Sequence, residues 1–434
     1  MNDFPVSLVV CATSLMLVAI LVSFVSRRIH LPYTIALVLI GMGLHQVGDW
    51  SPSLAILHHL HLTPNFILYL LLPTLIFDAA IHLDCRALLR NLVPILLLAV
   101  PGVLVVTAVI GVGVARWTPL SLNAAMLFGA LISTTDPVAC IALFNEIGAP
   151  ARLTMLVDGE SLFNDATAIV MFDIVSAIVA GSLLLANPHS AWTLSTLAGI
   201  PGRFLWVFLG GAAIGAVVGF LIMLLTRFAR KDPLTEVALT TVVAYAAFTL
   251  ANAYLHFSGV MAACTAGMVV NFCSKRWISP DTRSYLHRFW SFAAYMANSM
   301  IFLMLGLTES YLIADMGRLV HVLLPLTVAI LMVLLSRAII VSGFSGIYNL
   351  CTRRANRIPL PIQTAMTWSG LRGALPIALA VSIPSHLITP DERKLIIQLT
   401  VGVILFTLLI QGTTIKALLH RLGLDRIDRK NDQP

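Results

Sequence analysis

The sequence predicts an all-α polytopic membrane protein. Three observations predict it. Of its 434 residues 59% are hydrophobic and only 11% are charged, where a soluble chain carries about 25% charged residues. Apolar runs of about 20 residues recur from end to end, the length a helix needs to cross the hydrocarbon layer. The basic residues between those runs fall unequally on alternate loops, as cytoplasmic retention of Lys and Arg requires.

The runs number thirteen, at roughly 6–25, 32–48, 65–83, 91–115, 121–145, 154–181, 202–226, 233–255, 257–273, 287–307, 319–348, 361–386 and 395–419. Twelve is the alternative, because the second run is short and the ninth is compatible with a re-entrant segment. Met1-Asn2-Asp3 carries no basic residue ahead of the first run, so that run reads as a span and not as a signal peptide. With the N-terminus outside and thirteen crossings, twenty basic residues lie inside. Five lie outside (Arg116, Arg203, Arg318, Arg393 and Lys394). That bias selects N-out, C-in and an odd number of spans. It also accounts for the pI near 9.3 without a nucleic-acid partner. The chain is expected in the plasma (inner) membrane, its short basic tail against anionic head groups. Six cysteines, Cys11, Cys85, Cys140, Cys264, Cys273 and Cys351, are scattered singly and form no disulfide or zinc pattern.

Three spans carry residues that do not belong in hydrocarbon. The sixth contains Asp158-Gly159-Glu160-Ser161-Leu162-Phe163-Asn164-Asp165. An ionised carboxylate at membrane depth costs roughly 2.5–3.5 kcal/mol on insertion scales. Residues four apart share a helix face, so Ser161 lies beside Asp165 and Glu160 beside Asn164, with Asp158 continuing the Ser161–Asp165 stripe. Such an oxygen-rich ribbon suits a hard cation, and desolvation lets a proton compete with the cation for a carboxylate. Paired acids serving as an interhelical clamp are the plainer explanation, and the whole ribbon exceeds what a clamp needs. The fifth span carries Ser133-Thr134-Thr135-Asp136-Pro137 at its centre. Pro137 interrupts the hydrogen-bond ladder and disfavours helix at Asp136, so a broken helix with free carbonyls is expected, a common form of transporter ion site. A simple proline kink is the alternative. The twelfth span carries Trp368-Ser369-Gly370-Leu371-Arg372-Gly373-Ala374-Leu375-Pro376, a second break, with Arg372 near the exposed carbonyl end of a half-helix.

If the seventh span is a linker, residues 1–181 and 233–419 form two six-helix repeats of opposite orientation. Residues 182–232 join them and 420–434 form the tail. The fifth and twelfth spans then occupy equivalent places, the sequence pointer to an inverted-repeat transporter. Arg337, deep in the eleventh span, needs a carboxylate, with Glu160 or Asp136 the natural candidates. Asp78 in the third span is a further buried acid, with Arg372 as a suggested partner and a structural clamp as the alternative.

Together these residues resemble the monovalent cation/proton antiporter family, in its CPA1 branch of sodium/proton exchangers. The resemblance rests on Thr135-Asp136-Pro137-Val138-Ala139, Gly159-Glu160-Ser161-Leu162-Phe163-Asn164-Asp165 and Gly370-Leu371-Arg372-Gly373-Ala374. Leu72-Pro73 through Phe77-Asp78 resembles the family's third-helix motif, where glutamate is more usual. The resemblance implies an inverted-repeat fold with crossed discontinuous helices, a homodimer and elevator-type alternating access. It implies that sodium (or lithium or potassium) and protons compete at Asp165, with Glu160, Ser161, Thr135 and Asn164 helping to bind the ion. Asn164 stands where an electrogenic relative has a second aspartate, which favours one-for-one exchange. Arg337 would pair with Glu160, and Asp136 and Arg372 would balance the broken helices. No enzyme activity and no cofactor is expected.

Weaker signals remain. Gly211, Gly215 and Gly219 recur every four residues in the seventh span, which suits close helix packing; a dimer contact is the sharper alternative. His58-His59-x-His61 reads as a solvated loop sooner than a metal site. Asp173 and Glu236 are isolated acids, and Asp173 suits an outer funnel. Competing readings are a sodium-coupled symporter of an organic anion on a related scaffold and a non-transporting membrane scaffold.

Overall fold

The structure, a computed structural model, describes residues 4–29, 33–48, 66–184, 192–226, 232–313, 319–373 and 375–425. Every regular element among them is helical, and a helical segment lies at each interval read as a span. In chain order they are α1 (Phe4–Ile29), α2 (Tyr33–Gly48), α3 (Ile67–His82), the short α4 (Cys85–Arg90) and α5 (Leu92–Trp117). The first broken span is α6 (Leu122–Leu131) with α7 (Val138–Ile147). Then come α8 (Ala151–Leu184), α9 (Leu194–Leu225), α10 (Pro233–Tyr254), α11 (Gly259–Trp277), α12 (Pro280–Ile313) and α13 (Leu319–Cys351). The second broken span is α14 (Leu360–Trp368) with α15 (Leu375–Ser382), and α16 (Pro390–Arg421) ends the described chain. By length and composition, six helices among the described residues can cross a membrane: α5, α8, α9, α10, α13 and α16. The ninth run is one continuous helix of 19 residues, α11. The triplet His58-His59-x-His61 lies outside the described residues.

The helix ends follow local chemistry. Ser121 accepts from the Ala124 amide at the start of α6, Asp232 from Leu234 and Thr235 at α10, and Ser258 from Met261 at α11. These side chains satisfy amides that have no intrahelical partner. Thr389 and Glu392 form a reciprocal capping box on α16. Gly148 ends α7 with φ 68°, a left-handed position that suits glycine.

The helices pack as two groups. One contains α1, α2 and α3 with α9 to α12: α2 lies on α12, α11 lies on α3, and α9 and α10 both lie on α11. The other contains α5 to α8 with α13 to α16, in which α5 packs on α6 and α13, and α8 on α5 and α6. α8 also touches α3, α9 and α11 of the first group. Two-thirds (67%) of the most apolar window of α8 is buried in the protein, against 28% for α9. α8 is thus central and α9 peripheral. Gly211, Gly215 and Gly219 face α11, where a Cβ would strike the Ser258 and Ala262 carbonyls and Ala266. Gly41 and Gly306 do the same between α2 and α12. Small residues here let backbones approach within the protein.

Candidate functional site

The site begins with α8. Asp158, Ser161 and Asp165 lie on the stripe that α-helical spacing sets, and all three line one cavity of about 430 Å³. Their neighbours Glu160 and Asn164 are buried, at 1% and 4% exposure. They turn into the protein instead.

Two breaks in the helices meet this face. After α6 the chain leaves helical form over Ser133–Pro137, and after α14 it does so again from Ser369 through Gly373. The breaks touch through backbone: the Asp136 amide donates to the Leu371 carbonyl at 2.8 Å. Arg372 crosses between them. Its Nη1 donates to the Ser133 carbonyl at 2.9 Å and to the Thr134 carbonyl at 2.5 Å. These carbonyls are at the C-terminal end of α6, where partial negative charge accumulates, so a guanidinium there is favourable. The Arg372 amide donates to Thr407 Oγ1 at 3.2 Å, which ties the second break to α16. Thr407 opens a π-helical turn, Thr407–Gln411, a form frequent at functional positions in helices.

Glycine makes room for both charges of the crossing. A Cβ on Gly373 would lie 2.5 Å from Asp136 Oδ2, and one on Gly370 would lie 2.8 Å from Arg337 Nε. Neither is a permitted carbon contact, so the two glycines flanking Leu371-Arg372 are needed for packing.

α8 is stitched to the first break. Ser161 donates its hydroxyl to the Thr135 carbonyl. Asn164 Nδ2 donates to the Ser133 carbonyl at 2.9 Å and to Thr135 Oγ1 at 3.1 Å. The Asn164 Oδ1 atom is buried without a hydrogen-bond partner. One turn back, Glu160 receives both terminal nitrogens of Arg337, with Nη2 at 2.9 Å from Oε2. Arg337 also donates to the Met366 carbonyl at the end of α14. Of the two carboxylates open to Arg337, Glu160 is the one it holds. Asp165 forms no hydrogen bond or ion pair among the described residues. Its carboxylate faces the cavity, with Thr134, Thr135, Asp136 and Ser161 in the same lining.

Asp78 corrects one expectation. It is not with Arg372, whose guanidinium is on the α6 carbonyls. Asp78 lies 3.1 Å from His82 Nδ1, one turn along α3, and both line the cavity. The i, i+4 spacing of Asp78 and His82 is the sequence signal for this contact. Glu236 is buried in the first turn of α10, next to the Asp232 cap. That places it at a helix N-terminus, where a carboxylate is favoured, and away from the crossing. Asp173 opens onto a second cavity. No cluster of three metal-ligating side chains occurs among the described residues.

A family description, "Sodium/hydrogen exchanger, transmembrane", matches residues 14–421. The Na+/H+ antiporter ApNhaP of Aphanothece halophytica is 38% identical over 406 residues, which cover 92% of this chain and 72% of that protein. The low-affinity Na+/H+ antiporter NhaS1 of Synechocystis is 39% identical over 409 residues, covering 93% and 71%. The solved structure of the sodium proton antiporter MjNhaP1 from Methanocaldococcus jannaschii superposes with a TM-score of 0.73 at 18% identity, over 97% of this chain and 99% of that one. Fold, family description and relatives agree: the chain belongs to the sodium/hydrogen exchanger family.

Proposed function

We propose that this protein is a secondary antiporter that exchanges Na+, Li+ or K+ for H+ one for one, with Asp165 as the carboxylate for which the two compete. One observation carries the assignment. Along the polar ribbon of α8, Glu160, Ser161 and Asn164 are all held by neighbours, whereas Asp165 turns an unpaired carboxylate to the cavity at the first break, where Thr134, Thr135 and Asp136 share the lining. The relatives named as Na+/H+ antiporters support the choice of substrates.

The chemistry follows from charge. A deprotonated Asp165 beside Asp136 favours a cation. Oxygens of Ser161 and Thr135, with the open Asn164 Oδ1, supply the ligands a hard cation prefers. A proton on Asp165 removes the charge that held the cation. Either ligand neutralises the site and lowers the cost of moving it through a low-dielectric boundary. In this reading the group of α5 to α8 and α13 to α16 slides as an elevator against the other group, and Asp165 meets the two solutions in turn. The dimer, the repeats 1–181 and 233–419 with linker 182–232, thirteen crossings, and an N-out, C-in setting in the plasma membrane belong to the same proposal. Its cellular role is control of internal pH and sodium. Organic-anion symport is the less favoured reading, because the relatives are named as Na+/H+ antiporters.

The test is proton flux in proteoliposomes under imposed sodium, potassium and lithium gradients, with the voltage clamped or free. The wild-type protein should exchange at a rate insensitive to voltage. Asp165→Asn should fall to background while eluting as a folded protein. Undiminished sodium-driven flux in that variant would remove Asp165 from the role.

A further inference from the structure

A second cavity, of about 290 Å³, lies toward the end of α8 remote from Arg152. It is bounded by α8 and α15 of one helix group and by α3, α9, α10 and the start of α11 of the other. Asp173 enters it from α8, Ser382 from α15, Arg203 from α9, Asn252 and His256 from the end of α10 and beyond, and Ser258 from the cap of α11. Asp173 is eight residues past Asp165, about 12 Å along the helix axis. No ion pair joins Asp173 to Arg203 among the described residues, although both are exposed to the cavity.

The opposite wall is unusual. His256 has φ 54°, the one positive φ of a non-glycine residue among those described, a conformation that costs free energy and persists where surroundings hold it. It follows the π-helical turn Leu250–Tyr254, which contains Asn252.

We propose that Asp173 is a second, outer cation site on the release path, whose occupancy by sodium is opposed by Arg203. This rests on the antiport reading above. Asp173 rides on the helix that carries Asp165, while Arg203 belongs to the other group. Sliding of one group past the other therefore separates the carboxylate from the guanidinium as Asp165 turns outward. The freed carboxylate then receives sodium leaving Asp165. On return, Arg203 displaces it. The ionisable groups facing this cavity are Asp173, Arg203 and His256; the remaining polar ones, Asn252, Ser258 and Ser382, do not titrate.

The experiment compares sodium dependence at each face, in right-side-out and inside-out membrane vesicles. Asp173→Asn should raise the half-saturating sodium concentration at the outer face about fivefold, the effect of one hydrated charge contact. It should leave the inner face unchanged. Arg203→Gln should move the outer value in the opposite direction. Equal changes at both faces, or no change at the outer face, would overturn the proposal. Asp165→Asn serves alongside: persistence of exchange there would sink the antiport site and not the outer one.

Discussion

Glu160 and Arg337 are the residues whose mutual dependence is easiest to measure. Each is nearly inaccessible, at 1% and 3% exposure, and each supplies the charge that justifies burying the other. Removing one partner of such a pair costs about 3–5 kcal/mol, because a bare charge stays behind. Glu160→Gln should therefore lower the melting temperature in detergent strongly, and adding Arg337→Gln should recover part of the loss. A double variant no more stable than the single one would mean that Arg337 is held by the Met366 carbonyl alone. Gly373→Ala tests a neighbouring charge differently: its Cβ would strike the Asp136 carboxylate, so exchange should fall several-fold at wild-type sodium while folding survives. Under the proposed exchange, Asp165 is the residue that answers to pH. Competition between one proton and one cation means that, once acid has occupied the carboxylate, each further pH unit raises the half-saturating sodium about tenfold. Sodium titrations of proton flux between neutral and acid pH would show that slope or refute single-site competition. Much of this was legible in the sequence, because Asp165, Glu160 and Asn164 are too costly in hydrocarbon to be incidental. Which acid each arginine takes was not legible, since Arg337 and Arg372 lie far along the chain from their partners and only the crossing of the breaks decides between them.

At the scale of elements, the two breaks differ in how they are written. Pro137 announces the first by removing a donor and excluding helix at the residue before it. The second is announced by Gly370 and Gly373, and the reason for those glycines appears only in three dimensions, where Arg337 and Asp136 occupy the space of their missing side chains. Of the second cavity only Asp173 was readable, as a residue suited to a funnel; the rest was not, because the lining draws on α3, α8, α9, α10, α11 and α15 at once. Helix ends were readable wherever a capping residue stands in the chain. Asp232 is one: bonded to the Thr235 side chain and backbone and to the Leu234 amide, its carboxyl is held below the ordinary aspartate range. A depressed value of this kind stabilises the helix start at pH above the unfolded aspartate range. That contribution is lost as pH falls through the folded value. Asp232→Ala should therefore speed amide exchange in the first turn of α10 at neutral pH, and the difference from wild type should vanish in acid. A difference that persists when the carboxyl is protonated would mean that packing, not the cap, orders this turn.

For the whole molecule, the decisive quantity is the parity of crossings, because it determines which solution each half of the site faces. Two helix groups meeting along α8, with one cavity at Asp165 and another at Asp173, make sense as opposite approaches to one carboxylate only if the ends of α8 lie on opposite sides of the membrane. In the N-out, C-in setting proposed above, Arg152 lies at the inner end. The same alternation puts the exposed Trp117 outside and the exposed Cys351 inside, separated by an odd number of spans. A variant retaining Cys351 as its sole cysteine should react with a membrane-impermeant maleimide in intact cells only after permeabilisation. Trp117→Cys, in a background without other cysteines, should react at once. If any one of the seven intervening spans were re-entrant, both positions would lie on the same face and label together. That result would break the odd parity on which the proposed N-out, C-in setting rests, so the labelling pattern bears directly on which solution each end of α8 meets.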